Sequence, residues 1–448
     1  MNITRSIFTT TALTLSAALM LTGCAGGAEG VAPDDVNPEG EITPREISWL
    51  LSRPADGGVI TAMEQIADEY AQANPGFALN LITTPDRPSY LQKYETLAAA
   101  NKLPEFFDTD ATPFAQKLAD QGRMMDAEAL LEDIGMLDDY REAALNYQRF
   151  DDGSLYMIPF EFQLEFFWYN TALFEDAGVS VPETLDDFPA MCRALNSAGV
   201  TPIALDGQDQ WPLERYMSYY PFRAEGNEYV QTLKRGETEL AKDTGRDAVE
   251  WLHSLGEADC FQEGFSSTGY ADAQAAFTSG KAAVYNIGTW ELANLATENL
   301  DPAVRNDIDY FTLPMIAGAT TSANEYVTPS GIGMAVNAGT YDPLVRDFLA
   351  FALERYPEVY AATGALSPTS TVDTTIPANA TPLYQRAVDQ ANEVGPAIAM
   401  PWDTQLDPAS NSRLQQELTL LVQGEITPEE FIATMDETIA ENAAKAFG

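Results

Sequence analysis

The sequence predicts an α/β fold made of two lobes, and three features of the chain point to it. The first is a strand–helix–strand pattern at 46–51, 59–73 and 77–81, because a β-α-β unit produces parallel strands. The second is length: roughly 400 of the 448 residues remain once the N-terminal segments are set aside, enough for two ordinary domains. The third is that strand and helix patterns continue to alternate along the chain, without an internal repeat.

The N-terminus has the features of a lipoprotein signal peptide. Arg5 supplies a positive charge, and residues 7–20 form an apolar run that is too short to span a membrane. Leu21-Thr22-Gly23-Cys24 follows and resembles a lipobox. We therefore predict that residues 1–23 are a signal peptide and that Cys24 becomes the acylated, for example palmitoylated, first residue of the mature protein.

The composition is strongly acidic, with 68 Asp and Glu against 24 Lys and Arg and a formal net charge of −44. Lys and Arg carry the affinity for nucleic acids, so nucleic-acid binding is excluded. The charge also disfavours docking on anionic lipids, which leaves the lipid on Cys24 to hold the protein at the outer face of the cytoplasmic membrane. Residues 24–44, rich in Gly, Ala, Pro and acidic residues, predict a flexible tether.

In the first lobe the predicted strands end in polar residues. The strand at 46–51 is followed by Ser52 and Arg53, and a strand at 104–110 ends at Asp110, after a helix at 89–101. Ligands of open α/β sheets bind beyond the carboxyl ends of the strands. This rule points to Ser52, Arg53 and Asp110 as candidate site residues.

The stretch from Tyr156 to Phe174 alternates aromatic and polar residues and predicts a strand with two different faces, leading into a short helix after Asn170. Either an ordinary amphipathic edge strand or a strand that borders a cleft would show this pattern. The two faces consist of Phe162, Leu164, Phe166 and Trp168 on one side and Glu161, Gln163 and Glu165 on the other.

The rest of the chain follows the same α/β pattern. In order, it predicts a helix from Pro182, a strand at 201–205 with the exit loop 206–211, a helix at 243–256, a helix–strand–turn at 277–290, strands at 308–314 and 326–336, a helix from Asp342, an irregular segment at 367–380, a helix from Ser412 and a last helix capped by Thr427-Pro428-Glu429-Glu430.

Two motifs carry a resemblance to a known family. Tyr156-x-x-Pro159, followed by Tyr169-Asn170-x-x-Leu173-Phe174 and Gly178, is the first. The second is the helix stopped by Gly280, a strand, and the turn Gly288-x-Trp290. With this order and spacing, the chain resembles the extracellular solute-binding proteins of bacterial ABC importers, and most nearly their maltose- and oligosaccharide-binding branch.

The resemblance implies a type II periplasmic-binding-protein-like fold, in which two α/β lobes joined by several crossovers enclose a ligand cleft. It places lobe 1 at 45–156 and 312–365, and lobe 2 at 157–311 and 366–448. It also implies a monomer that binds a carbohydrate, passes it to ABC permease subunits in the membrane, and performs no covalent chemistry.

A sugar cleft needs aromatic platforms for the ring faces and polar side chains for the hydroxyl groups. The family places aromatic residues at the positions of Trp211, Trp290 and Trp402, whereas Trp49, Trp168 and Trp251 lie within regular elements and are expected in the core. The polar candidates are Ser52, Arg53, Asp110, Glu161, Gln163, Gln210, Ser330 and Asp403, with Thr328 as a weaker one. Gln163 stands where close relatives of the maltose branch carry a carboxylate, so a different hydroxyl pattern is expected.

Other functions remain open at this point. Other proteins of this fold bind polyamines, metals or anions. An anion would need basic residues in the cleft, and this chain has few. A surface carbohydrate-active enzyme is a second alternative, with Asp108 and Asp110 as conceivable carboxylates, and a sensor or adhesion module is a third. The single His253 lies in the middle of a helix, so no catalytic triad, metal site or cofactor is expected. Cys192 and Cys260 are either a disulfide or two buried thiols.

Overall fold

The computed structural model describes residues 35–53, 57–84, 87–327, 331–394 and 398–447. The predicted signal peptide, the acylation site Cys24 and the candidates Thr328 and Ser330 lie outside these residues. The first elements are β1 (Glu46–Leu50), α1 (Gly58–Ala73), β2 (Ala78–Ile82), α2 (Arg87–Ala99), β3 (Phe106–Thr109), α3 (Pro113–Asp120), α4 (Ala127–Ile134), α5 (Glu142–Gln148) and β4 (Ile158–Pro159).

The chain then enters a second group of elements. These are β5 (Glu165–Asn170), α6 (Thr171–Ala177), α7 (Phe188–Ser197), β6 (Thr201–Ala204), α8 (Trp211–Glu225), α9 (Glu228–Lys234), α10 (Asp243–Glu257), α11 (Tyr270–Thr278), β7 (Ala282–Gly288), α12 (Leu292–Leu295), α13 (Pro302–Arg305), β8 (Ile308–Phe311) and β9 (Tyr326–Val327). Next come β10 (Gly333–Val336) and α14 (Pro343–Ala361), and finally α15 (Pro382–Asn392), β11 (Ile398–Ala399), α16 (Trp402–Gln405), α17 (Pro408–Val422) and α18 (Pro428–Ala446). Short 3₁₀ turns lie at Leu137–Asp139, Leu185–Asp187, Phe265–Ser267 and Thr289–Glu291.

Two separate sheets organise the molecule. The first has the order β2-β1-β3-β10-β4, and the second has the order β6-β7-β5-β8. In the first sheet β1, β2 and β3 are parallel, while β10 runs antiparallel to β3 and β4. In the second, β6 and β7 are parallel and β5 is antiparallel to β7 and β8. We call the elements around the first sheet lobe 1 and those around the second lobe 2.

Each lobe has its own apolar core. In lobe 1, Trp49 and Phe106 pack with the helix α14 through Phe348. In lobe 2, Phe167 and Trp251 pack in a cluster that extends to helices α17 and α18. Trp49 and Trp168 are fully buried and Trp251 nearly so, as predicted for core residues.

The Tyr156–Phe174 stretch is not one continuous strand. It forms β4, leaves regular structure, and resumes as β5, because the chain passes here from the first sheet to the second. The alternation of faces is nevertheless correct: Phe162 and Phe166 are buried in an apolar cluster, whereas Gln163 and Glu165 lie on the polar side. Asn170 caps α6 by accepting the N–H of Leu173 at 3.0 Å.

The return to lobe 1 comes later than position 312. Leu313 and Ile316 still pack in the lobe 2 core, and β10 is the element that rejoins the first sheet. At the N-terminus, Val36 packs on the lobe 1 core and its carbonyl accepts the hydroxyl of Tyr341 at 2.7 Å. The end of the predicted tether therefore lies against the folded lobe.

Some local predictions are settled by contacts. Cys192 and Cys260 form a disulfide, which decides between the two alternatives. The predicted capping box of Thr427 and Glu430 is present at α18, whereas α17 begins at Pro408, earlier than the predicted Ser412.

In the described part of the chain, no helix combines the length and apolar character needed to cross a bilayer.

Candidate functional site

Polar residues follow the carboxyl ends of the parallel strands in both lobes. In lobe 1, Ser52 and Arg53 follow β1, Asp110 follows β3, and Glu161 follows β4. In lobe 2, the loop 206–210 follows β6, and the turn with Trp290 follows β7. Since the chain passes directly from β4 to β5, these two edges adjoin, and solutes of open α/β sheets bind at this kind of edge.

Arg53 is the centre of a buried ion-pair cluster in lobe 1. Its guanidinium bonds to Asp108, to Glu161 at 3.1 Å and to the carbonyl of Ile332 at 2.6 Å. Asp108 also accepts the indole N–H of Trp49 at 2.9 Å. Burial raises the pKa of Asp108, and Arg53 opposes that shift only in part. Arg53, predicted as a ligand contact, bonds to the protein through each of its three guanidinium nitrogens and so fixes the positions of two carboxylates.

A second network of charges crosses from lobe 1 to lobe 2. Arg87 pairs with Asp110 in lobe 1. Arg215 pairs in lobe 2 with Glu165 at 3.0 Å and with Asp403 at 2.6 Å. Burial lowers the pKa of Arg87, but Asp110 and Asp403 outweigh it and raise this pKa above its usual value, so Asp403 acts across the boundary.

Tyr147 of α5 lies between the two halves of this network. Burial raises the pKa of its hydroxyl, and the carboxylates of Asp110 in lobe 1 and of Asp403 and Glu165 in lobe 2 raise it further. The predicted residues Asp110 and Asp403 therefore both lie within electrostatic reach of the Tyr147 hydroxyl. Arg87, Glu165 and Arg215 are further members, which we did not predict. The scarcity of basic residues in this chain could have drawn attention to the two arginines.

The lobes also touch at a distance from these strand ends. Lys234 of α9 pairs with Asp151 of lobe 1 at 2.7 Å, and its side chain is only 4 % exposed. A cavity of about 410 Å³ lies beside this contact, lined by Asn146 and Phe150 from lobe 1 and by Gln231 and Met400 from lobe 2. The two lobes are therefore in direct contact at this position as well.

Gln163 is buried where the chain crosses between the lobes. Its side-chain oxygen accepts the hydroxyl of Thr289 at 2.7 Å, and its amide lies 3.4 Å from the Glu161 carboxylate. The same Thr289 hydroxyl accepts the backbone N–H of Leu164 at 3.1 Å. The amide at position 163 therefore joins the exit of β4 to the exit of β7. Whether it also selects a hydroxyl pattern stays a prediction.

The indoles of Trp211 and Trp290 meet edge to face, with ring centroids 6.2 Å apart. Trp290 donates its indole N–H to the hydroxyl of Tyr270 at 2.8 Å and is 37 % exposed. Its ring lies so close to Gly288 that any side chain there would collide with it, which explains the Gly-x-Trp motif. Gln210, next to Trp211, is half-buried and has a positive φ of 68°.

Trp402 is placed differently from the other two predicted platforms. It is 2 % exposed and packs in the lobe 2 core, where its ring stacks with that of Tyr229 at 6.2 Å. Its neighbour Asp403 reaches the interlobe network, but the Trp402 ring does not join the indole pair, and we do not propose it as a platform. A tryptophan beside a proline can fill a core gap, and it does so here.

Carboxylates surround the indole pair. Asp206, in the exit loop of β6, is 1 % exposed. Burial raises its pKa to about 7, and the charge of Asp209 adds to the shift. Glu291, next to Trp290, accepts hydrogen bonds from the hydroxyl of Tyr270 and from the amide of Gln274. Neither Asp206 nor Glu291 was predicted as a site residue, although Glu291 directly follows Trp290 and Asp206 begins the loop that leads to Trp211.

Glu214, in the first turn of α8, is fully buried behind this site. Burial raises its pKa well above the usual value, Asp403 adds to the shift, and a hydrogen bond from Gln415 and the charge of Arg215 offset it only in part. The folded protein therefore retains this proton at pH values at which the unfolded chain has released it. The retained proton therefore contributes to the free energy of unfolding at low pH, and this contribution falls as the pH rises above about 4.5.

We expect Glu214→Gln to raise the melting temperature at pH 8 and to leave it nearly unchanged at pH 4.5, because glutamine cannot ionise. Each kcal/mol of unfolding free energy shifts the melting temperature by roughly 2–4 °C in a domain of 150–250 residues. Differential scanning calorimetry at the two pH values measures the effect. Glu250→Gln, at an exposed position of α10, is the matched control, and an equal gain at both pH values would contradict the prediction.

Comparison with known proteins places the chain in a family. The model of the bacterial extracellular solute-binding protein family matches residues 57–355, more than half of the chain. A multiple sugar-binding protein of Streptococcus mutans is 25 % identical over 191 residues, 42 % of this chain and 44 % of that protein. An uncharacterized ABC transporter extracellular-binding protein of Pyrococcus horikoshii is 22 % identical over 311 residues, 67 % of this chain and 66 % of its own length. The chain thus spans less than half of the first relative and about two thirds of the second.

Among solved structures, a chitin oligosaccharide binding protein superposes with a TM-score of 0.77 and 23 % identity, covering 89 % of this chain and 99 % of that one. The predicted type II periplasmic-binding-protein-like fold is confirmed. The match of the family model, together with the predicted motifs that it spans, identifies the chain as a member of the bacterial extracellular solute-binding protein family.

Proposed function

We propose that this protein is the lipid-anchored extracellular component of an ABC importer, which binds a sugar or oligosaccharide between its lobes and delivers it to the permease. The names of two relatives, a multiple sugar-binding protein and a chitin oligosaccharide binding protein, support a carbohydrate as the solute. The signal-peptide pattern that ends at Cys24 supports attachment to the outer face of the cytoplasmic membrane.

The observation that carries the sugar proposal is the indole pair Trp211 and Trp290 beside a network of charges drawn from both lobes. Sugar rings present weakly apolar C–H faces to aromatic rings and hydroxyl groups to carboxylates, amides and guanidinium groups. The proposed contacts are Trp211 and Trp290 for the faces and, for the rim, Ser52, Arg53, Asp110, Glu161, Gln163, Gln210 and Asp403.

The proposed mechanism uses closure of the lobes. Asp110 of lobe 1 and Asp403 of lobe 2 both act on the hydroxyl of Tyr147, so a solute held there can bond to both lobes. A solute that bonds to both lobes therefore favours the closed form, which is the form that docks on the permease. The Lys234–Asp151 pair stabilises the same form from outside the site. We propose that the protein acts as a monomer.

A thermal-shift screen tests the sugar proposal. The purified protein is heated with mono- and oligosaccharides, amino acids and polyamines. A solute that binds the folded state raises the melting temperature by mass action, and the rise grows as the solute concentration exceeds Kd. We expect a saccharide to give the largest shift, and isothermal titration calorimetry then measures its affinity. If no saccharide shifts the melting temperature and a solute of another class does, the proposal is overturned. Consumption of the saccharide during incubation would favour the enzyme alternative instead.

A further inference from the structure

The surroundings of the indole pair carry more negative charge than the recognition of neutral hydroxyl groups requires. We define the acidic-aromatic corner as five residues at the exits of β6 and β7 together with Tyr270 of α11. The five are Asp206, Asp209, Trp211, Trp290 and Glu291. The two strands are parallel neighbours, so the residues that follow them meet at one edge of the sheet.

Asp206 has a carboxylate oxygen that the protein itself does not satisfy. Its Oδ1 accepts the backbone N–H of Asp209 at 3.2 Å. In the part of the chain that the structure describes, no hydrogen-bond donor reaches its Oδ2, and the residue is 1 % exposed. A buried polar atom without a partner carries a desolvation cost, so a donor supplied by a solute would be bound strongly at this position.

The contacts of the neighbouring groups leave the negative charge largely uncompensated. Glu291 accepts hydrogen bonds from the hydroxyl of Tyr270 and from the amides of Gln274 and Asn294, and all of these donors are neutral. Arg215, the cation above the ring of Trp211, is already paired with two other carboxylates, those of Glu165 and Asp403.

We propose that the acidic-aromatic corner binds a positively charged amino group of the solute. An ammonium group offers three N–H donors, and it is attracted both to carboxylates and to the faces of Trp and Tyr rings. This inference rests on the proposed function for the position of the site, and it narrows the solute to one that carries a free amine. An amino sugar and a polyamine share this chemistry, and the test separates them.

Protonation of the corner gives an independent readout. The groups that face Asp206 are Asp209 in its own loop, Tyr285 of β7 and, beyond it, Tyr270 and Glu291. Since burial and Asp209 raise the pKa of Asp206 to about 7, part of the population holds a proton there at neutral pH. A bound ammonium displaces that proton, so the binding of an amine that is already charged releases protons to the buffer.

The decisive experiment compares two saccharides that differ only in charge. The probes are a β-1,4-linked glucosamine oligomer with free amines, its N-acetylated counterpart of equal length, and spermidine as an amine without a sugar ring. Calorimetry at pH 6, where the glucosamine amines are mostly charged and Asp206 mostly holds its proton, is run in two buffers of different ionisation enthalpy and gives both Kd and proton release. We expect the free-amine oligomer to bind at least about 10-fold more tightly than the acetylated one, with proton release for the amine alone.

Variants assign the preference to the corner. Asp206→Asn is expected to bring the ratio of the two Kd values close to one and to abolish proton release. The matched control Asp176→Asn removes the same charge from an exposed position of α6, which follows the antiparallel β5 and so lies at the opposite edge of the sheet. The control should retain the full preference. If Asp206→Asn does not fold, Glu291→Gln takes its place with the same expected loss.

The possible outcomes separate this inference from the proposed function. If the acetylated or another neutral saccharide binds as tightly as the free-amine oligomer, the amine inference is overturned, while the sugar function stands. If spermidine binds and no saccharide does, the sugar function fails and the amine inference is retained, provided that Asp206→Asn weakens spermidine binding. If the preference for the amine persists in Asp206→Asn and in Glu291→Gln, the corner is not its source and the inference fails.

Discussion

Trp290→Ala is expected to weaken saccharide binding by about 30-fold or more and to leave the stability of the unliganded protein almost unchanged. Truncation of a central aromatic residue of a binding site costs about 2 kcal/mol or more, which is about 30-fold in Kd. The indole is 37 % exposed and lies on Gly288 on its inner side, so its removal opens no cavity in the core. Calorimetric titration measures the affinity, and thermal unfolding without solute measures the stability.

Trp402→Ala is the matched control for this prediction. Both tryptophans are predicted platforms from the sequence, but Trp402 is 2 % exposed in the lobe 2 core. Its truncation should therefore lower the free energy of unfolding by about 3–5 kcal/mol. The opposite pattern, with an unfolded Trp290→Ala and a stable, non-binding Trp402→Ala, would show that the two roles have been exchanged.

The fold was largely predictable because it depends on local patterns. Alternating apolar residues, the strand–helix–strand order and capping residues such as Asn170 and Thr427 are properties of short stretches of sequence. The predicted strand ends also placed Ser52 and Asp110 at the carboxyl edge of the first sheet, where the structure has them. These inferences needed no knowledge of which distant residues meet.

The site was only partly predictable because it depends on distant contacts. Arg215 bonds to Glu165 and Asp403, which are 50 and 188 positions away in the sequence, and no short pattern reports such partners. Trp211 and Trp402 have similar neighbours in sequence, since each adjoins a proline and polar residues. The packing of α17 and α18 around lobe 2 buries Trp402, and the sequence around that tryptophan does not indicate this packing.

Arg53→Met is expected to lower the free energy of unfolding by about 3–5 kcal/mol, because it leaves a buried carboxylate without its cation. Asp108 is fully buried, and Arg53 is the main group that opposes the rise of its pKa on burial. Without Arg53 this pKa rises further, so the folded variant holds a proton that the unfolded chain releases. The variant should therefore be relatively more stable at pH 5 than at pH 8. Urea unfolding at both pH values measures the loss.

The double variant Arg53→Met with Asp108→Asn tests the cause. A neutral amide has no charge to compensate, so the second substitution should restore most of the lost stability and remove the new pH dependence. Because the Arg53 guanidinium also holds Glu161 at 3.1 Å, saccharide affinity should stay reduced in the double variant even where the fold is restored. Recovery of stability without recovery of affinity would separate the structural role of the ion pair from its positioning of Glu161. If the double variant recovers both stability and saccharide affinity, the Arg53–Asp108 ion pair has a structural role only.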